Sequence, residues 1–208
     1  MISTLIDFIL HFDRYLGDII SSYGALTYFL LFLIIFCETG LVITPFLPGD
    51  SLIFVAGTFA AAGSLNPALL FLLFGAAAIS GDALNYTIGK KLSQALIEKR
   101  KLRLIKQENI DKTALFFAKH GGKTIVIARF IPIIRTFAPF VAGAGKMRYL
   151  HFFVYNALGG LLWVGLFSFG GYFFGNLPFV RDHFSLIIIA IIIISFLPAL
   201  IMRLASRN

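Results

Sequence analysis

Residues 38–50, Glu-Thr-Gly-Leu-Val-Ile-Thr-Pro-Phe-Leu-Pro-Gly-Asp, break what would otherwise be one long apolar run. The flanking apolar runs, 24–37 and 51–62, are each too short to span, since a helix needs about 20 apolar residues to cross a bilayer core. Pro45, Pro48 and Gly49 oppose a continuous helix between them. The economical path is in, break and back out on the same side, a re-entrant hairpin over 24–65. Broken backbone at membrane depth survives only where protein or a water-filled cavity satisfies it. Glu38 and Asp50 flank the break, and carboxylates at that depth mark a site rather than scaffold.

A second stretch answers the first. Residues 128–145, Ala-Arg-Phe-Ile-Pro-Ile-Ile-Arg-Thr-Phe-Ala-Pro-Phe-Val-Ala-Gly-Ala-Gly, are apolar and are broken by Pro132 and Pro139. They carry Arg129 and Arg135 where the first stretch carries acids, and they predict a second re-entrant hairpin over 123–145. Phe-Val-Ala-Gly occurs at 54–57 and again at 140–143. Tyr86-x-x-Gly89 and Tyr172-x-x-Gly175 follow the two copies at the same offset of 86 residues. Two matches in register imply an internal duplication. Paired interrupted segments in two halves point to a transporter's binding site.

The rest of the chain fits a membrane domain. Of 208 residues, 59% are hydrophobic and 13% charged, which predicts one compact integral membrane domain over 1–208. The net charge of +8 is concentrated, because residues 90–123 hold ten of the 18 Lys and Arg against three acids. Between membrane helices such a segment sets topology through the positive-inside rule; nucleic acid is not expected as a partner. It also attracts anionic headgroups. Cys37, the single cysteine, implies no internal disulfide. Asp7, Asp13 and Asp18 argue against a cleavable signal peptide.

The expected fold is therefore all-α: two inverted re-entrant hairpins, three spanning helices and an N-terminal amphipathic helix. That helix, 1–22, places Asp7, His11, Arg14 and Asp18 opposite Leu5, Ile9, Phe12, Leu16 and Ile20. It either lies in the membrane interface or packs on the protein's own flank. The spans are 67–89, 149–175 and 184–203, and the basic segment 90–122 faces the cytoplasm with the C-terminus. The first hairpin then enters from outside and the second from the cytoplasm. Small residues from Gly75 to Gly81 mark the first span as an inner helix. Asp82 and Tyr86, in what read as its last turns, belong either to a capped, hydrated helix end or to a secondary ligand contact.

Each of the four hairpin charges would cost roughly 2.5–3.5 kcal/mol unpaired at a helix centre. Opposed hairpins let Glu38 and Asp50 face Arg129 and Arg135, which as a purely structural arrangement is an ion-pair network. Buried pairs are often no better than apolar packing, however. The planar arginine fork suits a phosphate, so Arg129 and Arg135 are candidates to grip a phosphate monoester. A desolvated carboxylate has a raised pKa and can carry a proton.

The motifs Glu-Thr-Gly…Pro-Phe-Leu-Pro-Gly-Asp (38–50), Gly-Asp-x-x-x-Tyr-x-Ile-Gly-Lys (81–90) and Ala-Arg-Phe-Ile-Pro-x-x-Arg-Thr-x-x-Pro-x-x-Ala-Gly (128–143) resemble the DedA family. That family is also called the SNARE-associated or VTT-domain family of bacterial inner-membrane proteins. The resemblance spans about 24–175. It implies opposed hairpins and the recycling of a polyprenyl phosphate carrier, expected to be undecaprenyl phosphate, coupled to the proton gradient. It puts the family's functional acids and arginines on Glu38, Asp50, Arg129 and Arg135. The implied partners are membrane lipids, polyprenyl phosphate, and protons or sodium; a homo-oligomer is compatible with it.

Three other activities compete with this reading: a proton-coupled antiporter of small cations or drugs, which the arginines disfavour, a phospholipid scramblase like the eukaryotic relatives, and a membrane phosphatase. No His-Glu-x-x-His, no cysteine metal spacing and no serine with an obvious histidine partner occurs, so no enzyme, metal or cofactor is expected. His11, His120, His151 and His183 all fall near membrane boundaries.

Overall fold

The computed structural model describes residues 12–41, 49–98, 121–175, 177–182, 186–187 and 190–191. Pro45 and Pro48, residues 1–11, most of the basic segment (99–120) and nearly all of the third expected span lie outside them. No strand occurs among the described residues. The helices are α1 (Phe12–Tyr23), α2 (Leu26–Gly40), α3 (Gly49–Ala61), α4 (Pro67–Glu98), α5 (Lys123–Ala128), α6 (Pro132–Ala144), α7 (Tyr149–Phe174) and α8 (Pro178–Asp182). Two stretches, Pro67–Ser93 and Tyr149–Phe174, are long and apolar enough to cross a membrane. At 15 and 13 residues, α2 and α3 are not.

Two boundaries differ from expectation. Helix α4 does not stop near Gly89 but runs 32 residues to Glu98, about 48 Å at 1.5 Å per residue. Tyr86 and Asp82 therefore stand inside a helix and not at its hydrated end. In the second broken stretch the interruption falls at 129–131. Pro132 opens α6 at a position where no N–H is needed. Pro139, expected as a break, lies inside α6; it only removes the donor that Arg135's carbonyl would have had. Gly49, expected as part of the first break, is the first residue of α3.

The chain folds as two compact units, one comprising Met1–Ile34, Pro48–Phe74 and Val164–Asn208, the other Ile35–Leu47 and Gly75–Trp163. In the first unit α3 is the core, with every residue from Gly49 to Gly57 buried, as a helix apolar on all sides should be. Gly57 lies against the Ser168 carbonyl and Tyr172 N of α7, and Gly171 against the Phe54 carbonyl. Thr58 Oγ1 donates to the Phe54 carbonyl at 3.2 Å and to the Gly171 carbonyl at 3.4 Å. Helix α1 meets α3 where Gly17 faces the Phe59 ring, which fits the flank-packing alternative for the amphipathic helix. Asn66 caps α4: its Oδ1 accepts from Leu69 N at 3.1 Å, and its own N–H donates to Tyr28 Oη at 2.7 Å.

In the second unit α6 packs on α4 through the same device. Gly143 lies against the Tyr86 carbonyl and Lys90 N, and Gly89 against the Phe140 carbonyl. Gly40 of α2 closes on Gly81 of α4, so that a Cβ there would meet the Gly81 backbone at 3.3 Å. Small residues let these backbones approach. Behind them lies a core of Tyr86, Ile125, Ala128, Ala138, Ala142 and Phe152.

The duplicated tetrapeptide is thus used alike in both units. Phe54 and Gly57 do for α7 what Phe140 and Gly143 do for α4. The partner glycines are Gly171 and Gly89, 82 residues apart and not 86. The structural match on the spanning helices is one helical turn away from the Tyr-x-x-Gly match in sequence.

Candidate functional site

The second unit gathers three of the four charges expected of the two broken stretches, Glu38, Arg129 and Arg135, around one aromatic ring. Glu38 occupies the last turn of α2 and Arg135 the first turn of α6. Each opposes its own helix dipole, which favours cations at a C-terminus and anions at an N-terminus. They compensate one another: Arg135 Nη2 donates to Glu38 Oε1 at 2.6 Å, and Glu38 is fully buried.

Arg129 follows directly on α5. Its Nη2 donates to Asp82 Oδ2 of α4 and, at 2.6 Å, to Asn156 Oδ1 of α7. Asn156 is held in turn, its Nδ2 donating to the Ile79 carbonyl at 3.0 Å. Asn85, one turn from Asp82 on α4, donates to the Thr136 carbonyl at 2.7 Å and the Thr39 carbonyl at 3.3 Å. It thereby ties the end of α2 to the start of α6.

Trp163 of α7 is fully buried and takes both arginines. The Arg129 and Arg135 guanidinium carbons lie 5.8 and 5.0 Å from its ring centroid, within cation–π range. Gly160, one turn before Trp163, leaves room for Arg129: a Cβ there would come within 3.3 Å of its Nη1. That Nη1 and Asp82 Oδ1 are buried with no hydrogen-bond partner among the described residues. Two guanidinium groups on one ring, with a spare N–H on Arg129, can receive an oxyanion.

The VTT domain model matches residues 47–173. Protein DedA of Escherichia coli (strain K12) is 53% identical over 203 residues, covering 97% of this chain and 93% of that protein. The chain belongs to the VTT-domain family, the family of DedA. Uncharacterized membrane protein ML0287 of Mycobacterium leprae (strain TN) is 43% identical over 168 residues, 81% of this chain and 75% of its own. Inner membrane protein YghB of Escherichia coli (strain K12) is 33% identical over 159 residues, 76% of this chain and 73% of its own. This DedA-family chain is accordingly a membrane protein. No solved structure matches it significantly.

Of the residues expected at the site, the structure brings Glu38, Arg129 and Arg135 together. Asp82, a secondary candidate, proves to be the partner of Arg129. Asp50 belongs to the first unit, buried in the first turn of α3, where an acid suits the helix dipole. Tyr86 is buried, stacks on Phe152 at 4.5 Å and donates its hydroxyl to the Met147 carbonyl, a tie between helices. Asn156 and Trp163 escaped the sequence reading as site residues. Asn156 could have been found, as the single carboxamide in the apolar stretch 149–174.

Proposed function

We propose that this protein moves a lipid phosphate across the bacterial inner membrane, with undecaprenyl phosphate as the cargo and the proton gradient as the drive. The observation that carries this reading is the pair of buried guanidinium groups on Trp163, each held by a carboxylate on another helix. A phosphate entering there would compete with Glu38 and Asp82 for Arg135 and Arg129. Protonation of a carboxylate frees its arginine for the phosphate; deprotonation takes the arginine back and expels the lipid. Glu38 and Asp50 carry the protons in this scheme, and Asp82 joins them because it holds Arg129. Arginine cannot take that role, since it stays protonated. The protein is not an enzyme on this reading, for the lipid leaves unchanged.

The membrane arrangement completes the proposal. Helices α2 and α3 form one re-entrant hairpin and α5 and α6 the other, entering from opposite faces as an inverted pair. Residues 90–123 and the C-terminus face the cytoplasm, as the basic charge requires.

The test is reconstitution. Purified protein in liposomes should move labelled polyprenyl phosphate between leaflets, faster under an imposed pH gradient. Glu38→Gln and Asp50→Asn should abolish the gradient-driven part while lipid binding stays measurable. Arg135→Lys should lose transport at either pH, because lysine keeps the charge but loses the fork. Release of inorganic phosphate, or movement indifferent to both arginines, would overturn the reading.

A further inference from the structure

A cavity of about 1090 Å³ opens where α6 ends and α7 begins, and nothing in the transport scheme uses it. Lys146, Arg148 and His151 line its polar end, and Leu150, Val154 and Leu158 its apolar side. The three apolar residues are spaced by four along α7 and are 67%, 47% and 52% exposed. They form a continuous stripe on a helix long enough to cross a bilayer. A cluster of cations above a bare apolar stripe is complementary in charge and polarity to an anionic amphiphile.

Two details of the backbone strengthen the case. Met147 N donates to the Ala142 carbonyl at 3.1 Å and Lys146 N to the Gly143 carbonyl at 3.2 Å, the pair of hydrogen bonds that closes a helix C-terminus. The residue between must adopt the left-handed conformation, and glycine usually fills that place. Here it is Lys146, with φ at 58°, a conformation unfavourable for a side chain-bearing residue. Arg148 immediately precedes α7, and its carbonyl accepts from Phe152 N at 3.0 Å. That is the N-cap position, which favours Ser, Thr, Asp or Asn. Two cations with one residue between them thus occupy places that local geometry would give to other residues. Their charge is what the positions gain. The Tyr86 hydroxyl, bonded to the Met147 carbonyl between them, holds the loop to α4.

We propose that this cavity is a binding site for the headgroup of an anionic phospholipid. Lys146 and Arg148 take the phosphate, His151 flanks it with its ring 5.0 Å from Tyr155, and an acyl chain follows Leu150, Val154 and Leu158. The site is separate from the group around Trp163, and the proposal stands apart from the transport reading.

The test uses the full chain in nanodiscs of mixed phosphatidylglycerol and phosphatidylcholine, with retained lipids counted by native mass spectrometry and Tm measured on the same samples. The parent should retain phosphatidylglycerol in preference to phosphatidylcholine. Lys146→Gly and Arg148→Ser should each lower that retention several-fold, and the double variant should lower it further. Neither substitution should lower Tm, because each supplies the residue that the backbone prefers. Unchanged phosphatidylglycerol retention in the double variant would overturn the proposal. So would a fall in Tm for Lys146→Gly, which would make the lysine a stabilising helix terminus and nothing more. No polyprenyl phosphate and no gradient enter this assay, so failed transport leaves its outcome untouched.

Discussion

Arg129 donates from a single nitrogen to acceptors on two different helices, and the two acceptors are not equivalent. Asp82 supplies charge, while Asn156 supplies direction. Asp82→Asn would strand a buried guanidinium and should destabilise by about 3–5 kcal/mol. Asn156→Ala should cost about 1.5–3 kcal/mol, the range for one hydrogen bond to a charged group. Equilibrium unfolding of both variants in detergent checks the order; a larger loss at Asn156 would move the main support of Arg129 from the carboxylate to the amide. The arginines and Glu38 were legible in the sequence because a charge inside an apolar run requires a reason wherever it falls. The pairing was not. It depends on α4 continuing past Gly89, which turns Asp82 from a helix-end residue into a core one. Trp163 was hidden for a different cause: an aromatic residue in an apolar span reads equally as a lipid-facing side chain.

At the scale of elements, the glycines differ in how closely they let helices meet. A methyl on Gly143 would run into the Tyr86 carbonyl and one on Gly89 into the Phe140 carbonyl, both rigid backbone. A methyl on Gly159 would meet Val126 at 3.2 Å, and one on Gly165 would meet the Phe71 ring at 3.6 Å. Gly143→Ala and Gly89→Ala should therefore force α4 and α6 apart, with a loss of about 1–3 kcal/mol each from overpacking. Gly165→Ala should leave Tm unchanged or raise it, since alanine is the better helix former. Thermal unfolding of the three variants separates the cases; equal losses would mean that α4 and α6 are not in backbone contact. The repeated Phe-Val-Ala-Gly was visible in the sequence, and so were the short helices around each break. Its packing register was not. A periodic helix offers a glycine such as Gly171 one turn from Gly175, and only the depth of the contact with Phe54 selects between them.

At the scale of the whole molecule, the proposed orientation rests on the basic segment. A cysteine placed at Gln107 should resist a membrane-impermeant thiol reagent applied to intact cells and react once the membrane is opened; strong labelling in intact cells would reverse the proposed topology, hairpins included. The contact between α3 and α7 bears on how such a chain is made. The hydroxyl of Thr58 and its acceptor at Gly171 are 113 residues apart. At a synthesis rate of ~5–20 residues per second, α3 is made roughly 6–23 seconds before the surface it packs on exists. During that interval a helix of 13 residues, too short to span and buried all along its first nine positions in the finished fold, lacks the helix that covers Phe54 and Gly57. Nascent α3 is thus the part of the chain for which an insertase or chaperone would matter most, and a stalled ribosome would leave it exposed.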